Sequence, residues 1–100
     1  MIGLNKEQED IIDYLIKNNG DKYNLHKASE ECQELGLVLN QYLLKPLKVE
    51  TQEIIDEIGD VYIRLEILKK MFDNNAIQDR IDYKLSKFKE YIDHKEYSQI

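Results

Sequence analysis

The sequence has few of the residues that interrupt or cross-link a chain: its 100 residues include one cysteine, one proline and four glycines. Cys32 cannot form an internal disulfide and has no CxxC companion, so a disulfide scaffold and a cysteine-based zinc site are not supported. A reducing cytoplasm is the simplest compartment for such a chain. The scarcity of proline and glycine, beside abundant Leu, Ile, Lys and Glu, predicts helix nearly throughout.

Positive charge and long apolar runs are also scarce. Fourteen Lys and Arg face twenty Asp and Glu, which gives a net charge of −6. A nucleic-acid partner is therefore not expected, because phosphate contacts need clustered basic residues, and a nucleotide ligand would need a metal ion. No apolar run approaches the roughly 20 residues of a membrane span. The first 20 residues also lack the order of a signal peptide. We therefore expect no membrane partner.

Apolar residues at helical spacing predict a single all-α domain, residues 1–100, that resembles a four-helix bundle. The predicted helices cover about residues 6–17, from Asp21 or Asn24 to just before Pro46, about 48–72, and about 77–92. Asp21 or Asn24 is expected to cap the second helix, and Gly20 to end the first. The short connection around Pro46 predicts that the second and third helices form an antiparallel hairpin.

The hairpin helices carry more apolar surface than one partner would cover. The second helix has a stripe that includes Cys32, which is expected to be a small buried hydrophobe. The third helix has a main stripe, expected in the core, of Ile54, Ile58, Val61, Leu65, Leu68 and Phe72. It also has further apolar residues beside that stripe, namely Ile55, Tyr62, Ile63, Ile67 and Met71. This excess predicts a homo-oligomer, a dimer or a dimer of dimers, that assembles through its helices.

Two acidic pairs lie on the consecutive helices of this hairpin. Glu31 and Glu34 stand three residues apart on one helix, and Glu57 and Asp60 repeat that spacing on the next, so each pair projects from one side. Both pairs flank the apolar stripes, and antiparallel packing would bring the four carboxylates to one rim. Like charges so placed repel, and Mg²⁺ or Mn²⁺ is the expected counter-ion.

A solvated helix face explains either pair by itself, since acidic residues are frequent in this chain. Two features favour a site instead. The pairs lie at comparable depth on the hairpin, and Gly59 stands beside Asp60 inside an apolar turn. Glycine within a helix costs about 1 kcal/mol relative to alanine and often marks a close approach to the backbone.

Two segments resemble a known signature: Glu31-Cys32-Gln33-Glu34-Leu35 and Glu57-Ile58-Gly59-Asp60-Val61. Residues 35–56 lie between Glu34, which ends the first motif, and Glu57, which begins the second. It is the ExxE…ExxD pattern of the MazG-like all-α nucleoside triphosphate pyrophosphohydrolases. The likeness extends over about residues 23–91. It implies a hydrolase that cleaves a nucleoside or deoxynucleoside triphosphate to a monophosphate and pyrophosphate.

The resemblance also implies roles for individual residues. The metal ligands for Mg²⁺, with Mn²⁺ as a substitute, would be Glu31, Glu34, Glu57 and Asp60. Glu34 and Glu31 would act in catalysis, with Glu34 accepting the proton of the attacking water. Lys84 and Lys87 would contact phosphate, and Glu30 and His26 are accessory candidates. Relatives often carry asparagine at the position of Phe88 and an aromatic residue at that of Arg64, so their base and sugar contacts do not transfer.

A second class of function fits the same sequence. A non-catalytic helical oligomer could use its acidic rim to bind a partner or a nucleotide without turning it over. The two classes differ in one measurable respect, because bound Mg²⁺ must stabilise the folded state whereas solvated glutamates give no such response.

Overall fold

The computed structural model describes residues 3–100, and that part of the chain contains helices and no strands. The α-helices are α1 (Lys6–Leu44), α2 (Thr51–Met71) and α3 (Asn74–Asp93), and short 3₁₀ turns occupy Pro46–Lys48 and Tyr97–Gln99. The all-α class is therefore confirmed. Among residues 3–100, no helix has the length and apolar character that crossing a membrane requires.

Gly20 divides α1 into two helical segments. Its φ of 80° and ψ of 167° are non-helical, and a positive φ is the region that glycine enters without steric cost. Gly20 therefore ends the first helical segment, as the sequence indicates. Asn24 is fully buried inside the second segment, where its Nδ2 donates to the carbonyl oxygens of Gly20 at 2.9 Å and Leu15 at 3.2 Å.

The expectation that Asn24 caps the second segment is wrong. A capping side chain accepts a hydrogen bond from a backbone N–H, whereas Asn24 donates two to carbonyls on the far side of the break. These bonds join the second segment to the carbonyls of Gly20 and of Leu15 in the segment before it. Asn24 thus fixes the angle between the two segments of α1.

The second segment of α1 and α2 form the hairpin, joined by the turn at Pro46–Lys48. Residues three and four apart on each helix are buried or half-buried, and we call this set the inner stripe. On α1 it consists of Asn24, Ala28, Glu31, Leu35 and Val38, and on α2 of Ile54, Glu57, Val61, Arg64 and Ile67. Three charged residues therefore lie where a hairpin is ordinarily apolar.

The packing stripes differ from the predicted ones by a rotation of the helices. Cys32, expected in the core, is exposed, and Ile58 and Leu65 on α2 are also exposed. One residue corresponds to about 100° around a helix, so a shift of one position changes which side chains face inward. The two carboxylates expected beside the apolar stripe, Glu31 and Glu57, consequently lie on the inner stripe itself.

The first segment of α1 packs back against α2. It begins with a capping box, in which the side chain of Asn5 accepts from the backbone N–H of Gln8 and the side chain of Gln8 accepts from the backbone N–H of Asn5. Ile12 of this segment is buried. Lys70, near the end of α2, donates to carboxylate oxygens of Glu9 and Asp13, both at 2.8 Å. These contacts hold the first segment beside the hairpin.

Helix α3 stands apart from the rest of the described chain. It begins at Asp73, whose carboxylate accepts from the backbone N–H groups of residues 75 and 76, and it contains no buried residue. No Cα of α3 lies within 8 Å of a Cα of α1. Its apolar residues Ile81, Leu85 and Ile92 are all about half exposed.

The chain is more open than a compact domain of its size. Its radius of gyration is 16.6 Å, against about 13 Å for a compact domain of 100 residues. It exposes 8156 Å², whereas a compact monomer of this mass exposes roughly 6,000 Å². Roughly 2,000 Å² of surface is therefore available for contacts outside the single chain.

Candidate metal centre

Three of the four predicted metal ligands, Glu31, Glu57 and Asp60, converge at the middle of the hairpin. One carboxylate oxygen from each of Glu31, Glu57 and Asp60 lies within 4.8 Å of the other two. Glu34, the fourth predicted ligand, is outside this group of convergent oxygens, although its charge acts on both Glu31 and Glu57. The inner stripe brings the glutamates of the two helices face to face, and the spacing of three residues places Glu34 and Asp60 beside them.

Mutual repulsion and burial perturb the titration of this cluster. Partial burial on the inner stripe, followed by the charges of Glu34 and Asp60, raises the pKa of Glu31 above its ordinary value of 4.5. The same causes in the same order raise the pKa of Glu57. Both shifts mean that the folded chain resists carrying this much negative charge at one place.

Two oxygens of the cluster have no partner. Oε2 of Glu31 and Oε2 of Glu57 are sealed from solvent and accept no hydrogen bond. Within residues 3–100, none of the four carboxylates lies within 4.0 Å of a Lys, Arg or His nitrogen. A buried polar atom without a partner destabilises the fold by about 1–3 kcal/mol. These two oxygens are therefore open to a positively charged partner.

The donor set fits a hard divalent cation. Mg²⁺ is bound in proteins by a small number of carboxylates and keeps coordination positions for water and phosphate oxygens. Mn²⁺ accepts the same oxygen ligands. The cluster contains no thiolate or imidazole that would favour zinc or copper, since Cys32 and His26 are outside it.

Acidic residues that the sequence analysis did not single out extend the site. Glu53 and Asp56 line a groove of about 330 Å³ together with Glu34 and Glu57. Their positions, four and one residues before Glu57, place them on the adjoining side of α2. The spacing was visible in the sequence, but nothing there distinguished these acids from a solvated face.

Gly59 meets no close neighbour within the chain. A Cβ built at this position has no atom within 4 Å, so the close approach that the sequence suggests is not made by the chain itself. Gly59 lies instead in an open groove of about 370 Å³ whose walls include Leu4, Ile55, Ile58 and Tyr62. The backbone at Gly59 is accessible to another molecule.

The accessory candidates lie outside the carboxylate cluster. Glu30 is exposed and pairs with Lys27 at 3.6 Å. His26 is also exposed, in a shallow depression that includes Asp21 and Lys22. Neither residue contributes to the group of convergent carboxylate oxygens in the described chain.

The lysines expected to contact phosphate are on α3, away from the ligands on α1. Nζ of Lys84 lies 5.4 Å from the ring centroid of Phe88, and Nζ of Lys87 lies 3.3 Å from a carboxylate oxygen of Glu90. Because α3 does not approach α1, a single chain does not bring these lysines to Glu31 and Glu34.

Comparisons with protein-family models, with curated proteins and with solved structures find no match to this chain. The interpretation of the site therefore depends on its geometry and on the sequence pattern that the four carboxylates form.

Proposed function

We propose that the chain is a Mg²⁺-dependent nucleotide pyrophosphohydrolase that cleaves a nucleoside or deoxynucleoside triphosphate to a monophosphate and pyrophosphate. The observation that carries the proposal is the convergence of three carboxylates within 4.8 Å, two of them with a sealed and unpartnered oxygen. The resemblance of ExxE…ExxD to MazG-like enzymes supports the same activity. That resemblance also assigns the same residues.

Each carboxylate has a role in this proposal. Glu31, Glu57 and Asp60 would hold Mg²⁺, with Glu34 completing the set. When bound, Mg²⁺ neutralises charge on the triphosphate, orients it and makes water more acidic. Glu34 is exposed and lines the same groove as Glu57. It is therefore placed to accept a proton from a water molecule in the groove.

The reaction consists of one substitution at phosphorus. Water attacks the α-phosphorus, a new P–O bond forms, and the bond from that phosphorus to the bridging oxygen of the β-phosphate breaks. Pyrophosphate leaves, and the proton of the water passes to Glu34. Glu34 returns to its ionised form by releasing that proton to solvent, which its exposure permits.

We further propose that the working unit is a homodimer or a dimer of dimers. The excess surface of roughly 2,000 Å² per chain corresponds to about 4,000 Å² over a pair, within the range of obligate homodimers. The open groove at Gly59 and the half-exposed apolar side of α3 supply the apolar area. In such an assembly, Lys84 and Lys87 of one chain would complete the phosphate site of another.

The test is pyrophosphate release from a panel of ribonucleoside and deoxyribonucleoside triphosphates with Mg²⁺ or Mn²⁺. Wild type is compared with Glu34→Gln, which removes the proton acceptor, and with Asp60→Asn, which removes a ligand charge. Glu7→Gln is the matched control, since Glu7 is an exposed carboxylate at the start of α1. We expect losses of at least 100-fold in kcat for the first two variants and no change for the control.

Three outcomes separate the alternatives. Release that disappears in Glu34→Gln and Asp60→Asn supports the proposal. Mg²⁺-dependent stabilisation without release from any triphosphate identifies a binding module instead of an enzyme. An absence of both responses means that the carboxylates form only a solvated and repulsive cluster.

A further inference from the structure

Two sealed atoms of opposite charge lie about two helical turns apart on α2, and neither is paired. Oε2 of Glu57 accepts no hydrogen bond, and Nη1 of Arg64 donates none. Both residues are half-buried on the inner stripe. No carboxylate of the described residues lies within 4.0 Å of the guanidinium. A charged group that is shielded from water destabilises a fold when it has no partner, and pairing with the opposite charge relieves this cost.

Arg64 lies one helical turn beyond the carboxylate cluster. It follows Asp60 by four residues, which is a rise of about 6 Å on the same side of the helix. The Cα–Cβ bond in a helix leans toward the N-terminus, so a long side chain covers the turn before its own Cα. An aspartate four residues before an arginine is a spacing at which the two side chains form an ion pair. A change of rotamer is therefore enough to bring the guanidinium to the cluster.

The guanidinium of Arg64 is suited to contact two carboxylates at once. It is planar, always charged and carries five N–H donors in a fixed fork. A carboxylate oxygen of Asp60 lies within 4.8 Å of one of Glu31 across the hairpin, so a guanidinium beside Asp60 also reaches Glu31. The cation one turn from Glu31 on α1 is Lys27, and it is already paired with Glu30 at 3.6 Å.

We infer that Arg64 is an internal counter-ion that competes with Mg²⁺ for the carboxylate cluster. In the metal-free protein its guanidinium pairs with Asp60 and Glu31, and a divalent cation binds only after the arginine has turned away. The structure has the arrangement that a cation requires, because the carboxylate oxygens converge while Nη1 of Arg64 stays unpaired. The apparent affinity for Mg²⁺ is reduced to the extent that the arginine occupies the cluster. The inference rests on the metal site of the proposed function and does not require hydrolysis.

The test is calorimetric titration of the metal-free protein with Mg²⁺ alone, without nucleotide. Arg64→Met removes the cation and keeps an unbranched side chain, and it should bind Mg²⁺ about 10-fold more tightly than wild type. Arg64→Lys keeps the charge and should stay closer to wild type than Arg64→Met does. Arg80→Met is the matched control, because Arg80 is the other arginine of the chain and lies on α3 over the ring of Tyr83. It should bind Mg²⁺ as wild type does.

A double-mutant cycle without metal identifies the partner of the arginine. Arg64→Met should lower the Tm of the metal-free protein by about 4–8 °C. The loss should be much smaller in the Asp60→Asn background, where the pair is already weakened. It should also be smaller in the protein saturated with Mg²⁺, since the arginine is not paired there. An arginine with a purely structural role would give the same loss under all three conditions.

Nuclear magnetic resonance reports the movement of the side chain directly. The chain contains two arginines, so the spectrum of Arg80→Met assigns the Nε–H signal of Arg64. That signal should shift as Mg²⁺ is added to wild type, whereas the signal of Arg80 should stay in place. A signal of Arg64 that does not respond to saturating Mg²⁺ contradicts the displacement.

The inference and the proposed function fail in different ways. Equal or weaker binding of Mg²⁺ by Arg64→Met overturns the inference and leaves the metal site in place. If neither wild type nor Arg64→Met binds Mg²⁺, the inference and the metal-dependent function both fail. Tighter binding by Arg64→Met, without pyrophosphate release from any triphosphate, supports the inference and overturns the enzyme. The circular dichroism spectrum of each variant establishes that it is folded before the titration is interpreted.

Discussion

The two glycines inside the hairpin helices provide a matched test of the proposed dimer. Gly36 on α1 and Gly59 on α2 both have helical surroundings, and a Cβ built at either position meets no atom of the chain within 4 Å. In an isolated chain the two replacements by alanine are therefore equivalent. Each should stabilise its helix by about 0.5–1 kcal/mol.

A second copy seated in the groove at Gly59 makes the two sites differ. A methyl group added at a packed interface costs about 1–3 kcal/mol, which outweighs the gain in helix propensity. Gly36→Ala should then raise Tm by roughly 2–8 °C, since 1 kcal/mol shifts Tm by about 4–8 °C in a domain of this size. Gly59→Ala should lower Tm or leave it unchanged, and it should weaken the dimer by about 5- to 150-fold.

The assay is thermal unfolding together with sedimentation velocity over a range of protein concentrations. Metal is left out so that the neighbouring carboxylates contribute equally to the stability of every variant. Wild type and Gly36→Ala should sediment as the same oligomer. As the protein is diluted, Gly59→Ala should dissociate at a higher protein concentration than either of them. If both variants gain the same stability and keep the same association state, no second chain packs at Gly59. The surface excess would then need another partner.

Three further predictions concern the cluster, the break in α1 and the contact between α1 and α2. A carboxyl group whose pKa is raised by folding stabilises the fold at low pH, and this stabilisation is lost as pH rises from about 4.5 through the raised pKa. Without Mg²⁺, the Tm of Glu57→Gln should therefore fall less between pH 5 and pH 8 than the Tm of wild type. Parallel pH profiles of Tm would contradict this. Asn24→Ala should lower the free energy of unfolding by about 1–3 kcal/mol. Asn18→Ala removes an exposed hydrogen bond to a carbonyl and should have little effect on it. Equal losses would show that the burial of Asn24 does not contribute to stability. Lys70→Met removes two ion pairs between α1 and α2, and it should lower Tm more than Lys89→Met, which removes one ion pair within a helix. High salt should reduce the difference in Tm, and a difference unaffected by salt would point to packing.

The boundaries of the helices could be predicted because each depends on local chemistry. Gly20 enters a backbone region that other residues avoid, and Pro46 cannot continue a helix interior. The predicted third helix, about 48–72, starts three residues before α2 and ends one residue after it. The predicted fourth helix, about 77–92, starts three residues late because Asp73 caps α3 at Asn74.

The rotation of the helices could not be predicted in the same way. Apolar residues cover more than one side of α2, and a periodic pattern favours the most apolar side as the inner one. The chain instead buries the side with Glu57 and Arg64 and exposes Ile58 and Leu65. A single sequence does not say which apolar side faces its own chain and which faces another.

The convergence of acidic residues was predicted, but the reason given for it was partly wrong. The spacing of Glu31 with Glu34 and of Glu57 with Asp60 indicated one rim, and oxygens of Glu31, Glu57 and Asp60 do come together, without Glu34. They come together because two glutamates occupy the inner stripe, whereas the prediction placed all four beside it. Their unpartnered oxygens follow from that burial, and they distinguish this cluster from a solvated acidic face.

Charge on the inner stripe connects the stability of the hairpin with its proposed chemistry. A hairpin with leucine at positions 31 and 57 would pack without repulsion or unpaired oxygens, since burying apolar groups in place of charged ones is often neutral or stabilising. The chain instead places carboxylates there and an unpaired guanidinium, that of Arg64, about two turns from Glu57 along α2. Under the proposed function, Mg²⁺ bound together with a nucleotide supplies the positive partner that the carboxylates need. The native hairpin should therefore be most stable when the site is filled, and metal and nucleotide together should raise Tm by more than either alone.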